Sequence, residues 1–317
     1  MSENAAQLGS TQLETEESTQ DAKRWRDFLL TLPQPILVFG SMLAVATIYT
    51  YEWMDPDLFA AIMIVAPLPL ILIAERIWTK RKDWVLTPKE LAEDAFWLAC
   101  GGLLWVPFYS DYYQTPISEG FKALRDLTPL NISLAPQSII GLMLTAVLLR
   151  TISEFVYYWL HRLQHESLFW WRIHATHHHI TKMGAARSDR THPLEFLALM
   201  LGTPIVLALS GASDAVIAVA GAFGFFSAYL NHANLPLKSG LYGLYFTTTE
   251  QHHLHHSLDF DSSNTNYGCT IIIWDRVFGT YSGRKDIEAI GAGTGKSLSI
   301  IDQLMMAFVR RKKLLRY

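Results

Sequence analysis

All twelve histidines of this 317-residue chain lie between positions 161 and 256, and they come in blocks. The first block is HRLQH, with His161 and His165; the second is HATHHH, His174 to His179; the third is HHLHH, with His252, His253, His255 and His256. A lone His232 sits in NHAN, and His192 lies between the second block and it. Residues three or four apart on a helix share a face. That spacing groups His161 with His165, His174 with His177 and His178, and His252 with His255 and His256. Three such faces brought together supply at least eight imidazoles, more than one metal ion accepts, so the pattern reads as a polynuclear site with two metals. The competing reading is an exposed histidine tract that binds metal loosely. The blocks are set among Trp159, Phe169, Trp170, Trp171, Ile271 and Trp274, which is not the composition of a tail. His179, His192 and His253 read as bystanders.

The rest of the chain points to a membrane. Half of its residues are hydrophobic and 17% are charged, against about 25% in ordinary soluble domains. A net charge of −3 argues against nucleic acid, which needs a basic face. Two cysteines, Cys100 and Cys269, make neither a disulfide framework nor a cysteine zinc site. Residues 1–25 are polar and acidic, with Glu3, Glu14, Glu16, Glu17 and Asp21, and are expected to be a disordered tail. They lack the basic start and early apolar core of a secretory leader.

Apolar runs follow at 32–51, 58–75, 93–110, 137–160, 193–210 and 213–230, each near the ~20 residues that span a bilayer. Pro67 and Pro69 predict a kink in the second. The third is weakened by Gly101, Gly102 and Pro107, and 111–136 reads as a polar, irregular loop. Gly211 and Ala212 join the last two runs into a hairpin, crossing or re-entrant. Lys23, Arg24 and Arg26 precede the first run; Arg76, Lys80, Arg81, Lys82 and Lys89 follow the second; Arg310, Arg311, Lys312, Lys313 and Arg316 end the chain. If every run crosses, these segments share one side with the histidine blocks, and an excess of Lys and Arg marks that side as cytoplasmic. The expected fold is all-α: an integral membrane helical bundle with a cytoplasmic histidine-rich helical cap. Its parts are the acidic tail (1–25), N-terminal membrane spans (26–136), a catalytic domain holding the histidine boxes (137–282) and a basic C-terminal tail (283–317). Within the last two, the apolar stretch in 265–283 reads as a short strand or buried turn. GAGTGKS at 291–297 fails as a phosphate loop, because Ile290 occupies the position of its first glycine and no strand-to-helix unit frames it.

Neutral imidazole suits iron, zinc, copper and nickel, so histidine alone does not name the metal. Structural zinc is satisfied by four ligands, and no H-E-x-x-H zinc-protease helix is present. An all-nitrogen di-iron centre at the membrane face fits the ligand supply best. Glu154 lies inside an apolar run, seven residues before His161 and four after Arg150. A charge within a span is usually paired and often functional. Glu154 either orients a ligand histidine or forms a structural ion pair with Arg150.

The boxes and the text around them, YYWLHR at 157–162, WRIHATHH at 171–178, RTHPLE at 190–195 and NYGCTIIIWDRVFGTY at 266–281, resemble the fatty acid hydroxylase and sterol desaturase superfamily over about 150–282. The resemblance implies a membrane-bound non-haem di-iron monooxygenase that uses dioxygen to hydroxylate a fatty acyl, sterol or alkyl lipid. A desaturase with the same centre is the alternative. By position it implies His161, His165, His174, His177, His178, His252, His255 and His256 as metal ligands, with His232 at the place of a further ligand. Glu154 falls where members often carry Asp. The HPGG motif of members with an attached haem domain is absent, HPLE at 192–195 being no match, so a separate electron donor is implied, a ferredoxin, cytochrome b5 or reductase. A metal transporter or sensor is the reading from another class; transport sites lie near the membrane midplane in discontinuous spans, whereas these blocks follow the spans in polar text.

Overall fold

The structure is a computed structural model describing residues 19–129, 133–197 and 201–309. Among these residues it is all-helical, with two isolated antiparallel bridges, Phe246 with Ile271 and Ser257 with Ile290, and no strand. Six helices are long and apolar enough to cross a membrane. They are α1 (Thr19–Tyr51, with a turn just before Pro33), α2 (Pro56–Ile77), α3 (Pro88–Asp126), α4 (Ile139–Glu166), the stretch Pro193–Ser210 whose described helix is α6 (Gly202–Ser210), and α7 (Asp214–His232). The short helices of the cap are α5 (Leu168–His178), α8 (Thr249–His255), α9 (Ile273–Phe278) and α10 (Ile300–Met305).

The central element is α7. Its Val216, Val219, Phe223 and Leu230 pack with Val38, Met42 and Val45 of α1 and with Leu142, Ala146 and Leu149 of α4. These positions recur at helical spacing, so each helix presents one stripe to the core. The opposite faces carry Leu43, Leu70, Ile73, Leu103, Phe108, Ile140, Leu144 and Leu148, all exposed. Such a belt is untenable in water and natural against lipid tails. The chain is a multi-pass membrane protein.

Three sequence expectations change. Residues 1–18 of the expected acidic tail lie outside the described residues, but Thr19 already begins α1. The loop expected at 111–136 is helical as far as Asp126, with wide π-turns at Gly101–Trp105 and Ser110–Gln114. Such turns accommodate the N–H groups that Pro107 and Pro116 lack. Tyr113 Oη donating to Leu197 O (2.8 Å) and Tyr109 stacked on Phe196 fix this helix to the start of the fifth span. The segment from 283 to 309 packs back onto the cap instead of trailing away. Leu258 N donates to Ala289 O, Gly291 N to His256 O, and Met306 is buried against Ala175. Residues 310–317 lie outside the described residues. In α2 the helix is interrupted at Ala66, immediately before Pro67.

The length of α4 places the site. Its 28 residues make about 42 Å of helix, against a hydrocarbon core of about 30 Å. Ser138 caps its start by accepting from Gly141 N (3.1 Å), so the surplus turns emerge at the other end, where His161 and His165 lie.

Candidate metal centre

The nine histidines named from the sequence meet in two buried groups. His161, His165, His174, His178 and His255 form the first, and His177, His232, His252 and His256 the second; within each, the potential ligand atoms lie within 4.8 Å of one another. The blocks are therefore shared out. In each H-x-x-H-H block the first histidine pairs with the one four residues on for one group, and the histidine three residues on goes to the other. A helix turns about 100° per residue, so a residue four on lies about 40° to one side and a residue three on about 60° to the other. His174 and His178 enter the first group while His177 enters the second; His252 and His256 enter the second while His255 enters the first. The rings of His178 and His256 stack at 4.4 Å and join the two groups.

Five of the nine are held through Nδ1 by a backbone carbonyl or a glutamate, while Nδ1 of His178, His252 and His256 has no hydrogen-bond partner among the described residues. His161 Nδ1 meets Tyr267 O at 2.5 Å, His255 Nδ1 meets Thr265 O at 2.8 Å, His232 Nδ1 meets Ala228 O at 2.9 Å and His177 Nδ1 meets Arg190 O at 3.3 Å. His174 Nδ1 donates to Glu195 Oε1 (2.8 Å), which also accepts from Gln164 Nε2 (2.8 Å). A carbonyl only accepts, so each of these Nδ1 atoms carries the proton and Nε2 is bare. Burial holds His174 and His177 down to about 3, and burial with neighbouring rings holds His178, His252, His255 and His256 well below the usual histidine range. All six are neutral near pH 7.

The Nε2 atoms then face each other, those of His161, His174, His177, His232 and His255 bare. Nε2 to Nε2 distances are 2.9 Å for His161–His174, 3.1 Å for His174–His178 and 3.1 Å for His161–His255 in the first group. In the second they are 3.2 Å for His177–His232, 3.1 Å for His232–His252 and 3.2 Å for His252–His256. Lone pairs so placed repel unless a cation sits among them. Imidazole–metal bonds of about 2.0–2.1 Å put neighbouring ligands about 2.9–3.4 Å apart, from right-angled to tetrahedral geometry. The observed separations are those of a coordination shell. The donor set fits a metal centre.

Glu154 touches no ring. Its carboxylate accepts from Arg150 Nη2 (2.8 Å), Thr270 Oγ1 (2.7 Å), Cys269 N (3.1 Å) and Thr270 N (3.2 Å). It fixes the loop that presents Tyr267 O to His161, so its influence is one link removed from the histidines. The bystanders fall outside both groups: His253 meets Lys80 Nζ at 3.3 Å, His192 meets Leu304 O at 3.1 Å, and His179 is buried beside the centre. The one Glu-x-x-His pair of this region, Glu250 with His253, is also outside; Glu250 accepts from Ser239 N (2.9 Å).

Sequence reasoning missed two supports. Glu195 was passed over in RTHPLE, although a carboxylate entering an apolar run is itself a signal. Glu75, at the end of α2, is buried and accepts from Ala185 N and Asn234 N, each at 2.8 Å, clasping the loops behind the second box and His232.

Comparison with known proteins gives the same region. Residues 146–280, which contain all nine histidines, match the sequence profile of the fatty acid hydroxylase family. The ornithine lipid hydroxylase OlsE of Rhizobium tropici is 35% identical over 162 residues, covering 50% of this chain and 49% of that protein. Human alkylglycerol monooxygenase is 28% identical, covering 44% and 31%, and methylsterol monooxygenase 2-1 of Arabidopsis thaliana 27% identical, covering 44% and 56%. The chain thus spans about a third to just over half the length of these relatives. No solved structure matches. Residues 146–280 of the chain thus match the fatty acid hydroxylase family, and the matched region encloses both histidine groups.

Proposed function

We propose that this protein is a membrane-bound non-haem di-iron monooxygenase that uses dioxygen to hydroxylate a lipid. One observation carries the reading: two buried, all-nitrogen groups of five and four histidines that share residues from the same boxes. The printed names of the relatives, acting on ornithine lipid, alkylglycerol and methylsterol, support a lipid substrate. Bound there, two irons with dioxygen and two electrons would supply an oxidant strong enough for an unactivated C–H bond. The overall conversion takes R–H, O2, two electrons and two protons to R–OH and water.

The chain's own residues do the rest. His161, His165, His174, His178 and His255 hold one metal and His177, His232, His252 and His256 the other. Tyr267 O, Thr265 O, Arg190 O and Glu195 fix ring orientation and tautomer, as partners beyond the ligands do in metal sites generally. Burial of the rings excludes water. The electrons come from a separate donor protein of the ferredoxin, cytochrome b5 or reductase kind.

Protein produced with iron available is expected to contain about two irons per chain, following from its two nitrogen-rich groups, and to consume dioxygen only when both a lipid and a reductant are present. A single zinc with full activity would overturn the reading. Lipid extracts from cells with and without the protein would give the product, an added oxygen for hydroxylation or a lost pair of hydrogens for desaturation.

The histidine cap is assigned to the cytoplasmic side. Lys80 of the basic loop lies against His253, so loop and cap share a side, and the Lys and Arg excess orients that side inward. A C-terminal reporter that is active only in the cytoplasm is expected to be active. Activity only from a reporter specific for the far side would refute the orientation.

A further inference from the structure

A cavity of about 330 Å³ borders the first histidine group and not the second. His165 forms its inner wall. The other walls are Leu168 and Trp171 of α5, Leu258 and Phe260 after the third box, and the turn 291–293. His165 Nδ1 is engaged by Asn264 Oδ1 at 3.2 Å, and its buried Nε2 has no hydrogen-bond partner among the described residues.

Apart from His165, the lining contains no acidic or basic side chain. Its polar side chains are already engaged: Asn264 with His165, Ser263 Oγ donating to Phe260 O (3.1 Å), and Ser257 Oγ accepting from Asp259 N (3.2 Å). A charged head group placed here would lose its hydration without gaining a counter-charge, at high cost. An alkyl chain meets no such penalty. Leu168 and Phe260, 43% and 73% exposed, give the rim an apolar approach. Ligand pockets run from about 300 to 1,000 Å³, so the space takes part of a chain and not a whole lipid.

The outer wall is the stretch that resembled a phosphate loop. Gly291 and Gly293 have φ of 134° and 57°, a region that side chains disfavour. Gly291 N donates to His256 O at 3.0 Å, and the bridge between Ser257 and Ile290 fastens the same turn to the end of the third box. Ala292, between the two glycines, is buried against the cavity. This wall lies beyond residue 280, outside the region that matches the family.

We propose that the cavity binds the alkyl segment of the substrate beside His165, and that Ala292 and Leu258 set which carbon reaches the centre. The inference rests on the oxygenase reading. The C-terminal segment is thereby a specificity element, making lipid selection a property of this chain's own turn.

The test uses the full-length, iron-loaded protein in lipid nanodiscs, with a diazirine-bearing fatty alcohol as probe. Photolabelling mapped by peptide mass spectrometry is expected on 257–264 and 289–295. Ala292→Phe fills the cavity and should reduce that labelling to background with metal content unchanged. Leu258→Ala enlarges it and should keep the labelling while shifting the position of the added oxygen. An active, metal-loaded Ala292→Phe protein with unaltered labelling, or a Leu258→Ala protein with an unaltered product, overturns the proposal. If Ala292→Phe loses metal through misfolding, Leu258→Ala decides. Failure of the oxygenase reading shows differently, as absence of iron or of an oxygenated product in the unsubstituted protein.

Discussion

Alanine at His161, His165, His174, His178 or His255 is expected to abolish turnover while weakening rather than emptying the first position, because four nitrogens remain there, as many as the second group has. Alanine at His177, His252 or His256 leaves three nitrogens and should empty the second position, lowering bound metal from about two per chain to about one. His232 stands alone in the sequence but lies between His177 and His252, at 3.2 Å and 3.1 Å, so it shares their expected effect. His179→Ala, His192→Ala and His253→Ala should keep both metals, since none of the three belongs to either group. Glu195→Ala should retain metal less tightly and lose about 10- to 100-fold in affinity or activity, the usual effect of losing the partner of a ligand histidine. Glu154→Ala should keep metal and lower activity about ten-fold or more, acting through the loop at Tyr267. Elemental analysis with turnover on each variant checks the series. If His253→Ala lost metal while His252→Ala kept it, the register of the third box would be wrong.

The histidine spacing carried far because a 3.6-residue period is readable in one dimension. It brought His161 and His165 onto the end of a long apolar helix and placed the other boxes near them. It did not reveal the division between two groups, because His174, His177 and His178 all count as one face at that level. Only the opposite offsets of the third and fourth residues, with two helices converging, send His177 one way and His178 the other. The partners of Nδ1 were less legible still. Tyr267, Thr265, Arg190 and Ala228 contribute carbonyl oxygens, which every residue has. Helix through 111–126 was hidden by Pro107, Pro116 and a polar surface, and fixed by tertiary contacts at Tyr109 and Tyr113. The segment after 283 lacks apolar periodicity, and its docking runs largely through backbone hydrogen bonds that no pattern of side chains announces.

Arg190→Ala should destabilise the protein by about 3–5 kcal/mol, the usual result of removing one partner from a buried ion pair. Arg190 and Asp94 are each about 1% exposed, and Arg190 Nε donates to Asp94 Oδ1 at 2.5 Å. Arg187 is 3.5 Å from the other Asp94 oxygen, and Glu93 is 3.5 Å from Arg190 Nη2, so neither substitutes for the missing bond. Asp94 belongs to α3, outside the region that matches the family, while Arg190 O accepts from His177 Nδ1. The pair thus links the N-terminal spans to a histidine of the second group. Two consequences follow. Arg190→Ala should lose the second metal before the first, because the backbone that orients His177 is released. The double variant Asp94→Leu with Arg190→Met should be closer to the unsubstituted protein in thermal unfolding than either single variant, since both charges of the pair are removed together and buried Arg187 keeps Glu90 at 3.3 Å. Thermal unfolding and metal content of all four proteins in the same detergent measure both effects. Additive losses in the double variant would show that the two residues act separately and that the link to His177 runs through some other contact.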